Sequence, residues 1–230
     1  MRHVSPIFDA AVKSLHSYTM NSAPSQTLQF SSPGDAEELQ RAELYGLLAR
    51  LWFAPPDAAL LEQFAHAVTE APHAGGFLEP AWQDLVAALR ASTPQSAQAE
   101  YERLFTGTGK AEIFLYGSYH LSGALNDKPL VALRSDIAAL GLSNGGPEGE
   151  TEDHLAYLFE VMRYLIAGDD LAVCNLEQQR RFFRTHVQTW VPSSLCEAVE
   201  QHPQSHVYAA LARLTRGFLD IETQAFDLIE

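Results

Sequence analysis

A helical hydrophobic stripe follows a glycine-rich break in the second half of this 230-residue chain. The stripe recurs at i, i+3, i+4 and i+7 spacing and consists of Leu155, Leu158, Phe159, Met162, Leu165 and Ile166. This spacing places the six side chains on one face of an α-helix, which is stable only when that face is buried. The preceding break, residues 143–151, contains three glycines and a proline, which is typical of a linker.

The same periodicity recurs along most of the chain. The first predicted helix opens at a capping pair, Asp35 and Glu38, and stops at Pro55. Further helices are predicted at 57–70, 80–91, 94–105, 129–140, 152–168, 175–190, 192–201 and 204–228, whereas 110–127 is predicted to be irregular. No segment alternates with period two over five residues, so we expect no sheet. The pattern therefore predicts an all-α protein, a helical bundle of about nine or ten helices.

The linker suggests a division of the chain into two helical parts. Residues 1–34 are rich in Ser, Pro, Asn and Gln, and we expect a poorly ordered extension there, with Met20 as an alternative start. An N-terminal helical subdomain would span 35–142 and a C-terminal one 152–230, with 143–151 as the hinge between them.

Charge and composition exclude several classes of protein. The net charge of −14 argues against a nucleic-acid or anionic-membrane partner, which needs clustered lysine and arginine, but permits a basic partner. No run approaches the roughly 18 apolar residues of a membrane span, and the N-terminus lacks the apolar core of a secretory signal. Cys174 and Cys196 form neither a metal-ligand spacing nor a disulfide framework. We therefore expect a cytoplasmic protein without stable membrane insertion.

Motifs for catalysis, cofactors and metals are incomplete. The segment 107–110 resembles a phosphate loop, but Leu104 stands where the first glycine is required, so a turn that ends a helix is the simpler interpretation. Glu70 and His73 have the spacing of a di-iron ligand pair, but Pro72 between them is incompatible with a helix. We expect no catalytic residue, no cofactor and no metal site.

One acidic run stands out at the end of the linker. Between Glu150 and His154 the chain places three carboxylates and a histidine within five residues. A helix N-terminus attracts acidic capping residues, which would explain Thr151, Glu152 and Asp153. Capping does not require His154, so the run is either a cap or a binding site. A second, polar and aromatic helix face follows it, either solvated or part of a site: Asp153, Tyr157, Glu160 and Tyr164.

Several motifs together resemble one family. Residues 101–105 (YERLF), 116–119 (YGSY) and 152–156 (EDHLA) stand in the order typical of the TorD/DmsD family. These are cytoplasmic chaperones that mature molybdenum-containing respiratory oxidoreductases. The resemblance extends over about residues 36–226, and the acidic motif is its most specific part. The sequence departs from the family pattern at two places that affect the hinge. Thr151 stands where proline is usual, and residues 113–115 lack the proline usually found in that stretch.

The resemblance implies an all-helical chaperone without enzymatic activity. Family members bind the twin-arginine signal peptide of an apo-molybdoenzyme, assist cofactor insertion and delay export, and some form domain-swapped dimers. For this chain the resemblance therefore implies a signal peptide and an apo-molybdoenzyme as partners, and a monomer or a domain-swapped homodimer. It does not identify the client enzyme.

The resemblance also suggests roles in signal-peptide binding for the acidic motif. Asp153, helped by Glu152, would receive an arginine of the signal, because carboxylates bind guanidinium through charge-assisted hydrogen bonds. His154 would orient the loop or donate to a peptide carbonyl. The structural alternatives are a helix cap for Asp153 and a buried hydrogen bond for His154.

Other residues would complete the site. An opposite wall would consist of Tyr116, Ser118 and Tyr119, and the site would extend along the helix through Tyr157 and Glu160. Two other functional classes stay open at this point. One is a helical adaptor that binds basic segments without a maturation role, and the other is a nucleotide-binding or hydrolytic enzyme that uses Asp153 and His154.

Overall fold

A computed structural model describes residues 33–66, 76–107, 111–143 and 150–228, with only the backbone described for 33–36. Its α-helices, numbered in chain order, are α1 (Pro33–Phe53), α2 (Ala58–His66), α3 (Glu79–Arg90), α4 (Pro94–Tyr101), α5 (Gly117–Ser122), α6 (Lys128–Ala139), α7 (Leu155–Ala167), α8 (Leu176–Phe182), α9 (Glu197–Gln201) and α10 (Val207–Asp227). Three π-helical turns extend these elements, at Glu102–Thr106 after α4, Phe183–Val187 after α8 and Val191–Cys196 before α9. The described ranges contain no β-strand, which confirms the all-α fold class.

The helix that follows the acidic run lies at the centre of the core. Its apolar stripe is buried as predicted, except that Ile166 is only partly covered. This helix, α7, makes its most extensive contact with α1, which buries Tyr45, Leu48 and Trp52. Each fully buried aliphatic or aromatic side chain contributes about 1.5–3 kcal/mol, so this pairing holds α7 firmly against α1.

A buried polar network connects the first helix to the last. The Arg41 guanidinium donates two hydrogen bonds to Glu222, at 2.9 and 2.8 Å, and the Tyr45 hydroxyl donates a third at 3.1 Å. Burying a charge is favourable only when it is paired, and this carboxylate receives all three donors. Trp52 adds an indole N–H bond of 3.0 Å to Thr215. These bonds fix α10 against α1.

Several predicted boundaries require correction. The segment predicted to be irregular contains α5, a short helix at Gly117–Ser122. The helix predicted from residue 152 begins at Leu155, because residues 152–154 form the turn that precedes it. Other predictions lie wholly or mainly outside the described residues: the extension at 1–34, the end of the helix at 57–70, the pair at 70 and 73, and most of the hinge.

The core is contiguous across both predicted subdomains. One cluster of buried side chains includes Leu44 and Leu104 from the N-terminal part together with Phe159 and Leu211 from the C-terminal part. The division into two subdomains stays a prediction. None of the described helices has the length and apolar character needed to cross a bilayer.

Candidate functional site

The acidic run packs against the segment that precedes α5. Tyr116 and His154 form an isolated antiparallel bridge. Two backbone bonds flank it, from the Gly117 N–H to the Asp153 carbonyl at 2.9 Å and from the Leu155 N–H to the Leu115 carbonyl at 2.8 Å. Two segments that are far apart in sequence are therefore held side by side, each leading into a helix.

Asp153 caps a helix other than the one it precedes. Its side chain is buried, and one carboxylate oxygen accepts a 2.8 Å hydrogen bond from the Ser118 N–H in the first turn of α5. The other oxygen accepts a 2.6 Å bond from the Thr151 hydroxyl. A carboxylate at a helix N-terminus satisfies an otherwise unpaired N–H and interacts favourably with the helix dipole. Thr151 thus supplies a side-chain donor that a proline at this position would lack.

His154 caps the helix that follows it. Its ring is buried, and Nδ1 accepts a 3.2 Å hydrogen bond from the Ala156 N–H. The ring packs edge-on against Tyr116 and Phe53, with centroid distances of 5.1 and 5.9 Å. Burial lowers the pKa of His154 from 6.5 to about 4, although Glu150 and Asp153 oppose the shift. The imidazole is therefore neutral at pH 7, with Nδ1 as acceptor and the proton on Nε2.

The opposite wall of the site is α5. Tyr119 is partly exposed and packs against Phe114, with ring centroids 4.3 Å apart. His120 stacks on Trp190 at 4.9 Å, and its nitrogens bond to the Ser194 hydroxyl and the Phe114 carbonyl.

A glycine starts α5 because the indole of Trp190 lies against it. A Cβ at Gly117 would stand 3.2 Å from the indole nitrogen, which leaves little room for a side chain. The buried Ser118 follows, and its hydroxyl accepts a hydrogen bond from the Asn126 N–H at 3.2 Å. The start of α5 is thus fixed by Asp153, Trp190 and the loop that follows the helix.

Glu150 and Tyr116 form a polar contact at the edge of this wall. The Tyr116 hydroxyl donates to the Glu150 carboxylate, and both residues are partly exposed. Burial and the neighbouring carboxylate raise the pKa of Tyr116, so its hydroxyl stays protonated and acts as the donor. Glu150 was absent from the predicted site residues, although it belongs to the acidic run.

Glu152 lies on the other side of the turn, where its side chain is partly buried. Its carboxylate accepts a 2.8 Å hydrogen bond from Nε of Arg134 on α6. The nearby hydroxyl of Tyr157 lies one turn into α7, and burial followed by the charge of Glu152 raises the pKa of Tyr157. Arg134 carries no signal in the sequence that connects it to this site, because the contact depends on how α6 packs.

Glu160 continues the same side of α7. Its carboxylate forms a 3.3 Å ion pair with Arg163, and burial raises the pKa of Glu160 despite that cation. The Arg163 side chain lies across Gly46 of α1, where an added Cβ would stand 3.1 Å from the arginine Cδ. This part of the predicted site is therefore a partly buried ion pair and not an open carboxylate.

The structure thus brings four predicted residues into one contact group: Tyr116, Ser118, Asp153 and His154. Tyr119 adjoins this group on α5, while Glu152, Tyr157 and Glu160 follow along the side of α7 that leads away from it. The described residues contain no group of three or more side chains able to hold a metal ion.

Comparison with known proteins agrees with this architecture. The protein-family model described as "Nitrate reductase delta subunit" matches residues 76–195, more than half of the chain. The chaperone protein TorD of Vibrio cholerae serotype O1 (El Tor Inaba N16961) is 27% identical over an alignment of 205 residues that covers 82% of this chain and 92% of that protein. The same match is found in the Classical Ogawa O395 strain.

A solved structure shows the same fold. It is described as a redox enzyme maturation protein from Archaeoglobus fulgidus and superposes with a TM-score of 0.52 at 22% identity, covering 85% of this chain and 99% of that one. The family match over more than half of the chain and the relatives named as chaperones define the class, a maturation chaperone of redox enzymes. The chain belongs to the TorD/DmsD family.

Proposed function

We propose that this protein is a cytoplasmic, system-specific chaperone that binds the twin-arginine signal peptide and the apo-form of a molybdenum-containing oxidoreductase. It would assist cofactor insertion and delay export. Family membership supports the chaperone class, and the relatives from Vibrio cholerae are named as chaperones.

The observation that carries the proposal is the composition of the partly exposed edge of residues 150–154, called the rim below, which consists of two carboxylates and two tyrosines. The partly exposed carboxylates Glu150 and Glu152 lie beside the partly exposed tyrosines Tyr116 and Tyr157. Carboxylates pair with guanidinium groups, and aromatic rings cover the apolar part of an arginine or stack on its plane. A rim of this composition matches a peptide whose defining feature is two adjacent arginines.

The buried residues support this rim and do not form it. Asp153 holds the start of α5, and His154 holds the start of α7, so both walls are positioned by the turn between them. We propose that Asp153 acts by positioning the rim and that Glu152 makes the direct contact. This reverses the order of importance expected from the sequence.

A binding measurement tests the proposal. Fluorescence anisotropy would use labelled twin-arginine signal peptides from the molybdoenzymes of the same organism, each beside its Lys-Lys variant, at two salt concentrations. We expect one signal to bind, with binding weakened by salt and by the Lys-Lys change, because lysine cannot form the bidentate contact. Equal binding of the Arg-Arg and Lys-Lys peptides would instead support a general adaptor for basic segments.

A matched pair of variants locates the contact. Glu152→Gln removes one rim charge and should weaken binding about tenfold, because a charge-assisted bond contributes about 1.5 kcal/mol or more. Glu200→Gln is the control. Glu200 lies on α9, its side chain is about as buried as that of Glu152, and it also pairs with an arginine at 2.8 Å. Equal losses in both variants would mean that only the overall charge matters.

A further inference from the structure

The acidic turn, residues 150–154, contains three carboxylates that differ in their hydrogen-bond partners. Asp153 is buried, with one bond to a backbone N–H and one to a hydroxyl, and it cannot be released without uncapping α5. Glu150 accepts the hydroxyl of Tyr116. Glu152 differs from both because it accepts its hydrogen bond from a guanidinium, the group that an arginine-rich ligand would present.

The Arg134–Glu152 ion pair has an asymmetric environment. The Glu152 side chain is only 12% exposed, whereas the Arg134 side chain is 53% exposed. The carboxylate is therefore fixed in a partly desolvated position, while its cationic partner can swing into water. Because the Arg134 side chain is already half in water, releasing it from the pair costs little, so a second guanidinium can replace it at Glu152.

We propose that Arg134 is an internal competitor for the ligand arginine and that it occupies Glu152 when no peptide is bound. This inference rests on the proposed function and adds a specificity element to it. A ligand arginine would exchange with Arg134 at Glu152 and keep the carboxylate paired throughout. A lysine would make a poorer exchange, because an ammonium cannot reproduce the planar fork of a guanidinium.

The proposal predicts that removing an arginine from the site increases the affinity for the peptide. Arg134→Gln removes a cation from the site and should strengthen binding of the Arg-Arg peptide about two- to fivefold, the range that an exposed ion pair can contribute. Glutamine is a good helix former, so α6 should persist. If Arg134 were only a structural link between α6 and the turn, its loss would lower thermal stability without any gain in affinity.

A double-mutant cycle isolates the mechanism. The affinity of the labelled Arg-Arg signal peptide would be measured for the full-length wild type, Arg134→Gln, Glu152→Gln and the double variant. Because the competitor acts through Glu152, Arg134→Gln should bring no gain when Glu152 is already glutamine. The control is Arg216→Gln, which breaks the 2.8 Å pair with Glu200 and removes the same charge from an arginine that is 44% exposed.

The outcomes separate this inference from the proposed function. A gain specific to Arg134→Gln that vanishes in the double variant supports the competitor. No gain, or a gain equal to that of Arg216→Gln, overturns it while leaving wild-type binding and the Glu152→Gln loss as evidence for the proposed function. Binding that appears only after Arg134→Gln also supports the competitor. Absence of binding in all variants overturns both.

Discussion

At the residue scale, the acidic turn shows why a capping role and a binding role could not be separated from the sequence. The run predicted a helix junction with surplus negative charge, and the helix begins three residues later than predicted, at Leu155. The direction of each carboxylate could not be predicted, because it depends on the turn that residues 151–154 adopt. Asp153 faces inward to a helix 35 residues earlier in the chain, whereas the partly buried Glu152 pairs with Arg134.

The neutral cap at His154 makes a prediction about pH. The folded-state pKa of about 4 lies below the ordinary value of 6.5, so between these pH values the unfolded chain binds more protons at this site. Stability should therefore fall as the pH drops from about 6.5 to 4, by about 3 kcal/mol in total from this residue, and should level off below. Urea unfolding at a series of pH values measures the change.

A variant separates this contribution from those of other groups. Burial also lowers the pKa values of His120 and His186, which therefore titrate in the same direction. His154→Asn keeps a capping acceptor without a titrating group. The difference in unfolding free energy between wild type and variant should change across the stated pH window. A difference that stays constant across the window would show that folding does not lower the pKa of His154.

At the element scale, the long amphipathic helices were predicted and the short helix was not. The apolar faces of α7 and α10 repeat over several turns, so their periodicity identifies them. Helix α5 has six residues, too few for periodicity, and begins with Gly117, which disfavours helix. Its stability comes from the Asp153 cap and from Trp190, both distant in sequence. Tertiary contacts of this kind have no local sequence signal.

The last helix shows the same capping device and gives a second prediction. The residue before α10, His206, makes no capping hydrogen bond with its side chain. Instead, the buried carboxylate of Glu100 accepts hydrogen bonds from three backbone N–H groups, those of His206 at 2.7 Å, Val207 at 3.3 Å and Tyr208 at 3.0 Å. Glu100→Ala should lower the unfolding free energy by about 2 kcal/mol or more, because several buried donors lose their acceptor.

The neighbouring Glu102 supplies the matched control. It lies on the exposed side of the following turn and accepts a hydrogen bond from Gln98, so Glu102→Ala should change stability by about 0.5 kcal/mol or less. Chemical unfolding of both variants at pH 7 compares them directly. Similar small losses would show that α10 does not depend on the remote cap.

At the scale of the whole molecule, the net charge of −14 and the acidic rim act over different distances. In the proposed complex, contacts at Glu152 would govern how long a bound arginine stays, whereas the summed charge would attract a basic peptide before it touches the surface. The Debye length falls from about 30 Å at 0.01 M salt to about 8 Å at 0.15 M, so added salt removes the long-range attraction first.

We therefore expect salt to act mainly on the association rate. Between about 0.01 and 0.15 M salt, the association rate of the Arg-Arg peptide should fall about tenfold or more, with a much smaller change in dissociation rate. Stopped-flow anisotropy resolves the two rates. A signal peptide with Gln-Gln in place of Arg-Arg is the control, because its attraction and its salt dependence should both be weaker. If salt instead raised the dissociation rate and left association unchanged, binding would depend on local ion pairs alone, and the acidic character of the whole molecule would have no part in capturing the peptide.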